Sequence, residues 1–274
     1  MLEILQFDFF RHALIVGFLA SILCGVIGTL VVINRLVFLS GGIAHAAYGG
    51  IGLSIFFGIP FLAGTLGFTL ATALVMAAIT FHAKHRSDTV IGVIWAVGMA
   101  LGVLFVDLTP RYHVDLMSYL FGSILTVTRI DLFVLTGTSL FVILSVGYFY
   151  HDLSSMAFDE EFARLRGVPV GGLYVFLVCM IAVAVVLIIR VVGLILVMAL
   201  MTIPPFIAEG YAASLRSMMI LAVALSALFT GAGLFLAFAF NLTSGAAIIL
   251  AAAAGFFLSL GLKRLSLRWK KNSP

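Results

Sequence analysis

Long apolar runs alternate along the chain with short connections that are polar or contain Gly and Pro. The runs lie at about 12–34, 41–57, 61–81, 89–107, 131–150, 171–189, 191–208, 216–240 and 245–262. An α-helix needs roughly 20 apolar residues to cross a hydrocarbon core. The pattern therefore predicts an all-α polytopic membrane protein with eight to nine transmembrane helices. Residues 1–274 form a single transmembrane domain on this interpretation.

Two segments depart from the simple pattern. The run 191–208 follows Arg190 with no room for a loop and contains Pro204 and Pro205. Each proline removes a backbone donor, so we expect a helix broken at Pro204-Pro205 within the membrane. The stretch 112–127 is too short and too polar for a span, and it is interpreted as an outer loop or a re-entrant element.

Composition supports the membrane assignment. The chain is 64% hydrophobic and only 9% of its residues are charged, whereas soluble domains carry about 25%. This excludes nucleic-acid binders, secreted disulfide scaffolds and cytosolic enzymes. Cys24 and Cys179 both fall inside apolar stretches and are interpreted as small packing residues.

The basic residues are distributed unevenly between the two sides that nine crossings would create. Cytoplasmic loops of membrane proteins carry an excess of Lys and Arg. A cytoplasmic C-terminus and an outside N-terminus satisfy this rule. Eleven of the 15 basic residues are then inside, namely Arg35, Lys84, Arg86, Arg164, Arg166, Arg216, Lys263, Arg264, Arg268, Lys270 and Lys271.

The first run has small residues at helical spacing. Gly17, Ser21, Gly25 and Gly28 share one face of the predicted helix. Such a face lets a neighbouring helix approach closely.

The longest hydrophilic segment, 151–170, contains a helix-start pattern. Asp159, Glu160 and Glu161 precede Arg164 and Arg166, an order of charges that suits the helix dipole. The pattern predicts a short amphipathic helix outside the bilayer at about 157–168. A solvated connector and a docking helix for a cytoplasmic partner both remain open on this evidence alone.

Several strings together resemble the ABC-3 family of permeases, the membrane subunits of bacterial zinc and manganese importers. They are the order Asp-Glu-Glu-Phe-Ala-Arg-Leu-Arg-Gly-Val-Pro from Asp159, VDLMSYLFGSILTVTRIDL at 114–132, FLSGGIAHAAYGGIG, MALMTIPPFIAE and the turn Asn241-Leu242-Thr243-Ser244-Gly245. The resemblance covers nearly the whole chain.

The resemblance implies a membrane-spanning permease subunit of an ATP-driven importer of divalent transition-metal ions (zinc, manganese or iron). The helix at 157–168 then becomes a coupling helix for a cytoplasmic ABC ATPase subunit, through Asp159, Glu160, Glu161, Ala163, Arg164, Gly167 and Val168. No Lys follows a Gly, so the chain has no P-loop, and ATP hydrolysis belongs to the separate ATPase. The chain itself is not an enzyme and binds no cofactor stably.

The same resemblance implies further partners and a location. An extracytoplasmic solute-binding protein delivers the metal ion, the permease forms a homodimer around a central path, and no nucleic acid takes part. The location is the cell (inner) membrane of a bacterium or archaeon, with the chain crossing the lipid bilayer many times.

His45 is the first candidate metal ligand, because an ionisable side chain inside a span is costly and usually functional. In the family this histidine lies on the metal path. Many relatives have an Asp four residues earlier, where this chain has Gly41. Either Glu209, after the proline pair, supplies the missing carboxylate, or this subgroup passes its substrate with fewer ligands. Of the two, we expect Glu209 to approach His45.

Weaker candidates lie at the span ends. Asp107, His113 and Asp115 cluster at the outer end, where they could receive a metal ion or form a solvated loop. His82, His85 and Asp88 form a cytoplasmic group. Met198 and Met201 are soft ligands in principle and ordinary packing residues otherwise.

Two other function classes make different demands on the sequence. A secondary metal/proton transporter would use His45 and Glu209 without a docking helix, and we expect inverted repeats in such a protein. An intramembrane metalloenzyme would need ligands at i and i+4, and neither His-Glu-x-x-His nor His-x-x-Glu-His occurs in the chain.

Overall fold

The computed structural model describes the backbone of residues 8–82, 87–109, 122 and 127–272, and the side chains of 11–81, 87–109, 122 and 127–264. Within these ranges the chain forms helices and no strand. We number them α1 (Asp8–Ile33), α2 (Val37–Phe57), α3 (Phe61–His82), α4 (Ser87–Asp107), α5 (Arg129–Tyr148), α6 (Tyr150–Phe158), α7 (Glu160–Leu165), α8 (Val170–Val192), α9 (Leu194–Glu209), α10 (Leu215–Phe240) and α11 (Ser244–Asn272).

Seven of the described helices are long and apolar enough to cross a membrane, namely α1, α3, α4, α5, α8, α10 and α11. The shorter helix α9 is also apolar, and α2 has sufficient length at 21 residues. The prediction of an all-α polytopic membrane protein is therefore confirmed, and the long helices agree with the expected eight to nine spans.

Helix α2 is enclosed by other helices rather than by lipid. It contains five glycines and His45, and fourteen of its 21 residues are buried. Helices α3, α4 and α8 pack around it. A glycine-rich helix presents little side-chain surface to lipid and allows close approach of neighbouring helices, so its position inside the bundle matches its composition.

Close backbone approach joins α2 to α4. A Cβ on Gly98 would lie 2.8 Å from the Cα of Ala46, and one on Gly102 would lie 2.6 Å from the carbonyl oxygen of Tyr48. Gly98 and Gly102 are four residues apart and form the small-xxx-small pattern that allows two helices to touch along their backbones.

The small residues of α1 have the same role, as their spacing predicts. Gly25 meets Val223 of α10, where an added Cβ would lie 2.6 Å from the backbone nitrogen. The Ser21 and Thr230 hydroxyls lie 3.4 Å apart across the same interface. Gly28 meets Met201 of α9. This face of α1 therefore packs against two later helices.

The predicted break at Pro204-Pro205 is wrong, because α9 continues helically through both prolines to Glu209. The chain is interrupted at Gly193 instead, the single residue between α8 and α9. Gly193 has φ 84° and ψ 160°, a conformation that essentially only glycine adopts. A one-residue connection agrees with the expectation that no loop fits after Arg190.

One of the carbonyls that the prolines leave without a donor is packed against a small residue. Pro205 cannot donate to the Met201 carbonyl, four residues earlier. That oxygen lies 2.5 Å from the place of a Cβ on Gly28, so the Cα of Gly28 is close enough for a weak C–H···O contact. Neighbouring helices commonly accommodate prolines inside membranes in this way.

The bundle has two ends, which we name by one residue each. The Arg35 end contains the α1–α2 turn, α6, α7 and the C-terminus of α9, since Ala208 packs near Ile33 and Arg35 shares a cavity with Phe158 and Glu160. The Asp131 end contains the start of α5 and the end of α8. Arg190 forms an ion pair there with Asp131 at 3.2 Å and lies over the Phe61 ring.

The α2–α4 contact generates a prediction with a control on the same helix. Gly98→Ala places a methyl group against the backbone of Ala46, and we expect it to destabilise the protein by about 1–3 kcal/mol. Gly92→Ala adds the same group where no atom lies within 4 Å, and it should be neutral or slightly stabilising. Thermal unfolding of the detergent-purified variants measures the difference, and equal midpoints would contradict the packing described.

Candidate functional site

His45 is the ninth residue of α2, roughly 12 Å from the first turn of that helix at 1.5 Å per residue. Its ring is half-buried and stacks on the indole of Trp95 from α4, with the ring centroids 4.0 Å apart and the planes at 14°. Trp95 in turn donates its Nε1–H to the sulfur of Met99 at 3.2 Å. The stack fixes the orientation of the imidazole.

One nitrogen of His45 has no hydrogen-bond partner. Nδ1 is buried, and no described donor or acceptor reaches it. Such an atom loses its hydrogen bonds to water without replacement, which is costly. A neutral imidazole nitrogen is also a common metal ligand. The side chain is therefore held in place with a potential ligand atom that no protein group satisfies.

Gly41 lies one helical turn before His45, and Met198 of α9 packs against it. A Cβ on Gly41 would lie 3.1 Å from Cε and 4.0 Å from the sulfur of Met198. Met201, the second methionine singled out, is fully buried against Gly28 instead. Of the two methionines, Met198 alone contacts the His45 turn of α2.

Glu209 does not lie beside His45. It is the last residue of α9, it is exposed, and its neighbour Ala208 packs near Val32 and Ile33 at the Arg35 end. His45 lies about 12 Å along α2 from Val37, the first residue of that helix at the Arg35 end. The expected approach of Glu209 to His45 is not found, because α9 continues past the proline pair and carries Glu209 out of the bundle. One ion bound by both side chains would require them at the same depth.

The weaker candidates are only partly described. Asp107 ends α4 at the Asp131 end and is exposed, while His113 and Asp115 lie outside the described residues. The side chain of His82 and all of His85 also lie outside them, and Asp88 is exposed in the first turn of α4. Among the residues described, no three His, Cys, Asp or Glu side chains come together.

A cavity of about 620 Å³ opens at the Arg35 end. Helices α2, α3, α4, α6, α7 and α8 contribute to its wall, whose polar residues are Asn34, Arg35, Thr80, Ser87, Asp88, Glu160 and Tyr174. Phe38 also lines it, and the Phe38 ring lies 6.0 Å from that of Trp95. A row of three rings, Phe38, Trp95 and His45, thus leads from the cavity to the interior of the bundle.

The short helix α7 is capped as its sequence suggests. The Asp159 carboxylate accepts a hydrogen bond from the backbone N–H of Phe162 at 2.9 Å, and Arg164 pairs with Glu160 at 2.6 Å. Gly167 follows the helix with φ 82°, and the N–H of Val168 donates to the Ala163 carbonyl. Glu161 is exposed. These contacts define a rigid, solvent-facing element.

The face that α7 presents differs from the one expected. Ala163 is fully buried inside the protein, whereas Phe158, Phe162 and Leu165 are 67%, 52% and 87% exposed. Ala163 therefore anchors α7 to the bundle and cannot contact a partner directly. Exposed apolar side chains at the polar end of a membrane bundle are typical of an interaction surface.

Two features of the site were not anticipated from the sequence. The first is Trp95, whose position nine residues into α4 carries no signal of its own. The second is the ion pair between Asp131 and Arg190, joined by Thr128, whose hydroxyl donates to the Asp131 carboxylate at 2.7 Å. An Arg at the end of an apolar run, with an Asp opening another, is the only sequence signal for this pair.

Known proteins of similar sequence cover almost the whole chain. The chain is 45% identical over 264 residues to the membrane protein slr2045 of Synechocystis sp., covering 96% of this chain and 94% of that one. It is 30% identical over 254 residues to the manganese import system permease protein ScaB of Streptococcus gordonii, with 93% and 91% covered.

A solved structure has the same fold. PsaBC from Streptococcus pneumoniae, in complex with Fab, superposes with a TM-score of 0.84 at 31% identity, covering 93% of this chain and 92% of the matched one. The model of the ABC 3 transport family (ABC-3) matches residues 6–263. Since that match leaves only the extreme termini outside it, the chain belongs to the ABC 3 transport family.

Proposed function

We propose that the chain is the membrane-spanning permease subunit of an ATP-driven importer of divalent transition-metal ions. The observation that carries the proposal is His45, an imidazole inside a membrane helix with a buried nitrogen that has no protein partner. One relative of the chain is named as a manganese import system permease protein and another as a manganese transport system membrane protein. A metal ion in transit is the ligand that fits both facts.

The charge distribution supports an orientation for the bundle. Among the described residues, Arg35, Arg164, Arg166, Arg216, Lys263 and Arg264 belong to the Arg35 end, and Arg11, Arg129 and Arg190 belong to the Asp131 end. Cytoplasmic ends carry the excess of Lys and Arg. The Arg35 end is therefore assigned to the cytoplasm, with the N-terminus outside and the C-terminus inside.

On this orientation the candidate ligands form successive stations along a path. A solute-binding protein delivers the ion at the Asp131 end, where Asp107 is exposed. His45 receives it in the bundle interior, and Glu209 and the cavity lie toward the cytoplasm. Weak ligands in sequence suit transit, because an ion must leave each site as readily as it enters.

A second copy of the chain would complete the path. Only 17% of the α4 span is buried, although α4 packs closely on α2. His45 and Trp95 are half-buried at this α2–α4 surface. Lipid contact with an ionisable group inside the membrane is costly. A homodimer that covers this surface keeps His45 away from lipid.

The partner that supplies ATP hydrolysis is proposed to bind at α7. Phe158, Phe162 and Leu165 project from the cytoplasmic end, and Arg166 lies over the Phe162 ring at 5.7 Å. An ATPase groove lined by apolar side chains would bury all three. A secondary transporter has no use for such a surface, and His45 and Glu209 at different depths do not favour a shared proton site.

The metal path is tested by His45→Ala. We expect uptake of divalent metal by cells that also express the ATPase and the binding protein to fall by at least roughly tenfold, because the only interior imidazole ligand proposed here is removed. The dimer and its complex with the ATPase should survive. His151→Ala, which alters an exposed histidine of α6, is the control. Normal uptake by the His45 variant would refute this site.

The docking surface is tested by Leu165→Asp. Because Leu165 is 87% exposed, the charge should not disturb the fold of the permease. Burying it in an apolar groove should reduce copurification of the ATPase by roughly tenfold or more. Ala213→Asp places the same charge on the exposed turn between α9 and α10 and should have no effect. Equal copurification for both variants would remove α7 as the docking element.

A further inference from the structure

One side chain occupies the space beside Gly41. Of the atoms outside the backbone of α2 and the adjacent residues, the described structure places only Cε and Sδ of Met198 within 4 Å of a Cβ on Gly41. Without a side chain, Gly41 leaves a notch on α2 that faces α9. The thioether of Met198 fills this notch.

The notch lies directly beside His45. Residues four apart on a helix share a face, with their Cβ atoms about 5–6 Å apart. Helical Cα–Cβ bonds also tilt toward the helix N-terminus, which for His45 is the direction of Gly41. A nitrogen and a sulfur that share one tetrahedral metal ion stand about 3.5 Å apart, given bonds of roughly 2.0 and 2.3 Å. Met198 has three rotatable bonds with which to adjust to that separation.

We infer that Met198 supplies a thioether ligand to the ion at His45 and makes the path prefer thiophilic or borderline divalent ions such as Zn²⁺ over Mn²⁺. This inference rests on the proposed function. Imidazole and thioether groups suit zinc and softer ions, whereas carboxylates suit Mn²⁺. Among the acidic side chains described, Asp107 and Asp131 belong to the Asp131 end, and the others belong to the Arg35 end, namely Asp88, Asp152, Asp159, Glu160, Glu161 and Glu209.

The arrangement also explains a glycine at position 41 in physical terms. A side chain there would meet the Met198 methyl group at 3.1 Å from its Cβ, closer than ordinary van der Waals contact. It would push the thioether away from α2 and from His45. Gly41 and Met198 therefore act as one unit, in which the first leaves the space and the second occupies it.

The test compares Zn²⁺ and Mn²⁺ uptake by the complete transporter, with each ion also present as competitor of the other. Met198→Leu conserves volume and removes only the sulfur. We expect its Zn²⁺-to-Mn²⁺ uptake ratio to fall by roughly tenfold, the effect of losing one ligand contribution. Met201→Leu, three residues along the same helix and fully buried, is the matched control and should keep the wild-type ratio.

A second variant gives a gain rather than a loss. Gly41→Asp displaces Met198 and adds a carboxylate one turn from His45, so Mn²⁺ uptake should rise relative to Zn²⁺.

Two results overturn the inference alone: a wild-type transporter that takes up Mn²⁺ in preference to Zn²⁺, or an unchanged Zn²⁺-to-Mn²⁺ uptake ratio in Met198→Leu. If the wild-type transporter takes up none of Zn²⁺, Mn²⁺ and Fe²⁺, the proposed function fails and the inference fails with it.

Discussion

Helix α2 must lie inside protein, and this constraint organises the rest of the bundle. The helix carries five glycines and a histidine, so lipid would leave its backbone exposed to hydrocarbon and its imidazole without any compensating group. Surrounding helices cover most of this backbone, and Trp95 of α4 stacks on the imidazole. Gly98 and Gly102 bring α4 into backbone contact, and α8, whose span is 72% buried, packs along another side. The glycines that make α2 a poor lipid-facing helix are the ones that allow its enclosure.

The single-residue connection at Gly193 follows from the same requirement. Helix α8 runs to the Asp131 end and α9 must start back at once if Met198 is to reach Gly41. A connection of one residue demands φ 84° and ψ 160°, which a side chain would oppose. Gly122 packs against the backbone of Val192 and Gly193 at this point. The connection between α8 and α9 thus depends on two glycines, Gly122 and Gly193, that have no Cβ.

The sequence predicted the helices well because span length and apolar composition are local properties. Each of the nine apolar runs overlaps one long helix. The small face of α1 was also predictable, since Gly25 and Gly28 share a side at helical spacing. Nothing in the sequence, however, identifies which helix a given face will meet.

The errors concern tertiary relations. A proline pair predicts a break only if the freed carbonyls lack other neighbours, and the contact between Met201 and Gly28 is not visible in the sequence. Likewise Ala163 looked like part of an outward face, because a six-residue helix has too few positions to show which side is buried. The expected approach of Glu209 to His45 rested on the break, and it failed together with the break.

Transit imposes a different chemistry from storage, and the described geometry is consistent with transit. A storage site gathers three or four strong ligands, whereas no such cluster occurs among the described residues. His45 instead holds a nitrogen that lacks a partner and is oriented by an aromatic stack that contributes no competing donor. On the proposed function, an ion bound to this nitrogen would recover the free energy lost by leaving it unsatisfied. Because few ligands would hold that ion, it could also leave again. A small number of ligands makes such a site hard to recognise in a structure, and it is also what transport requires.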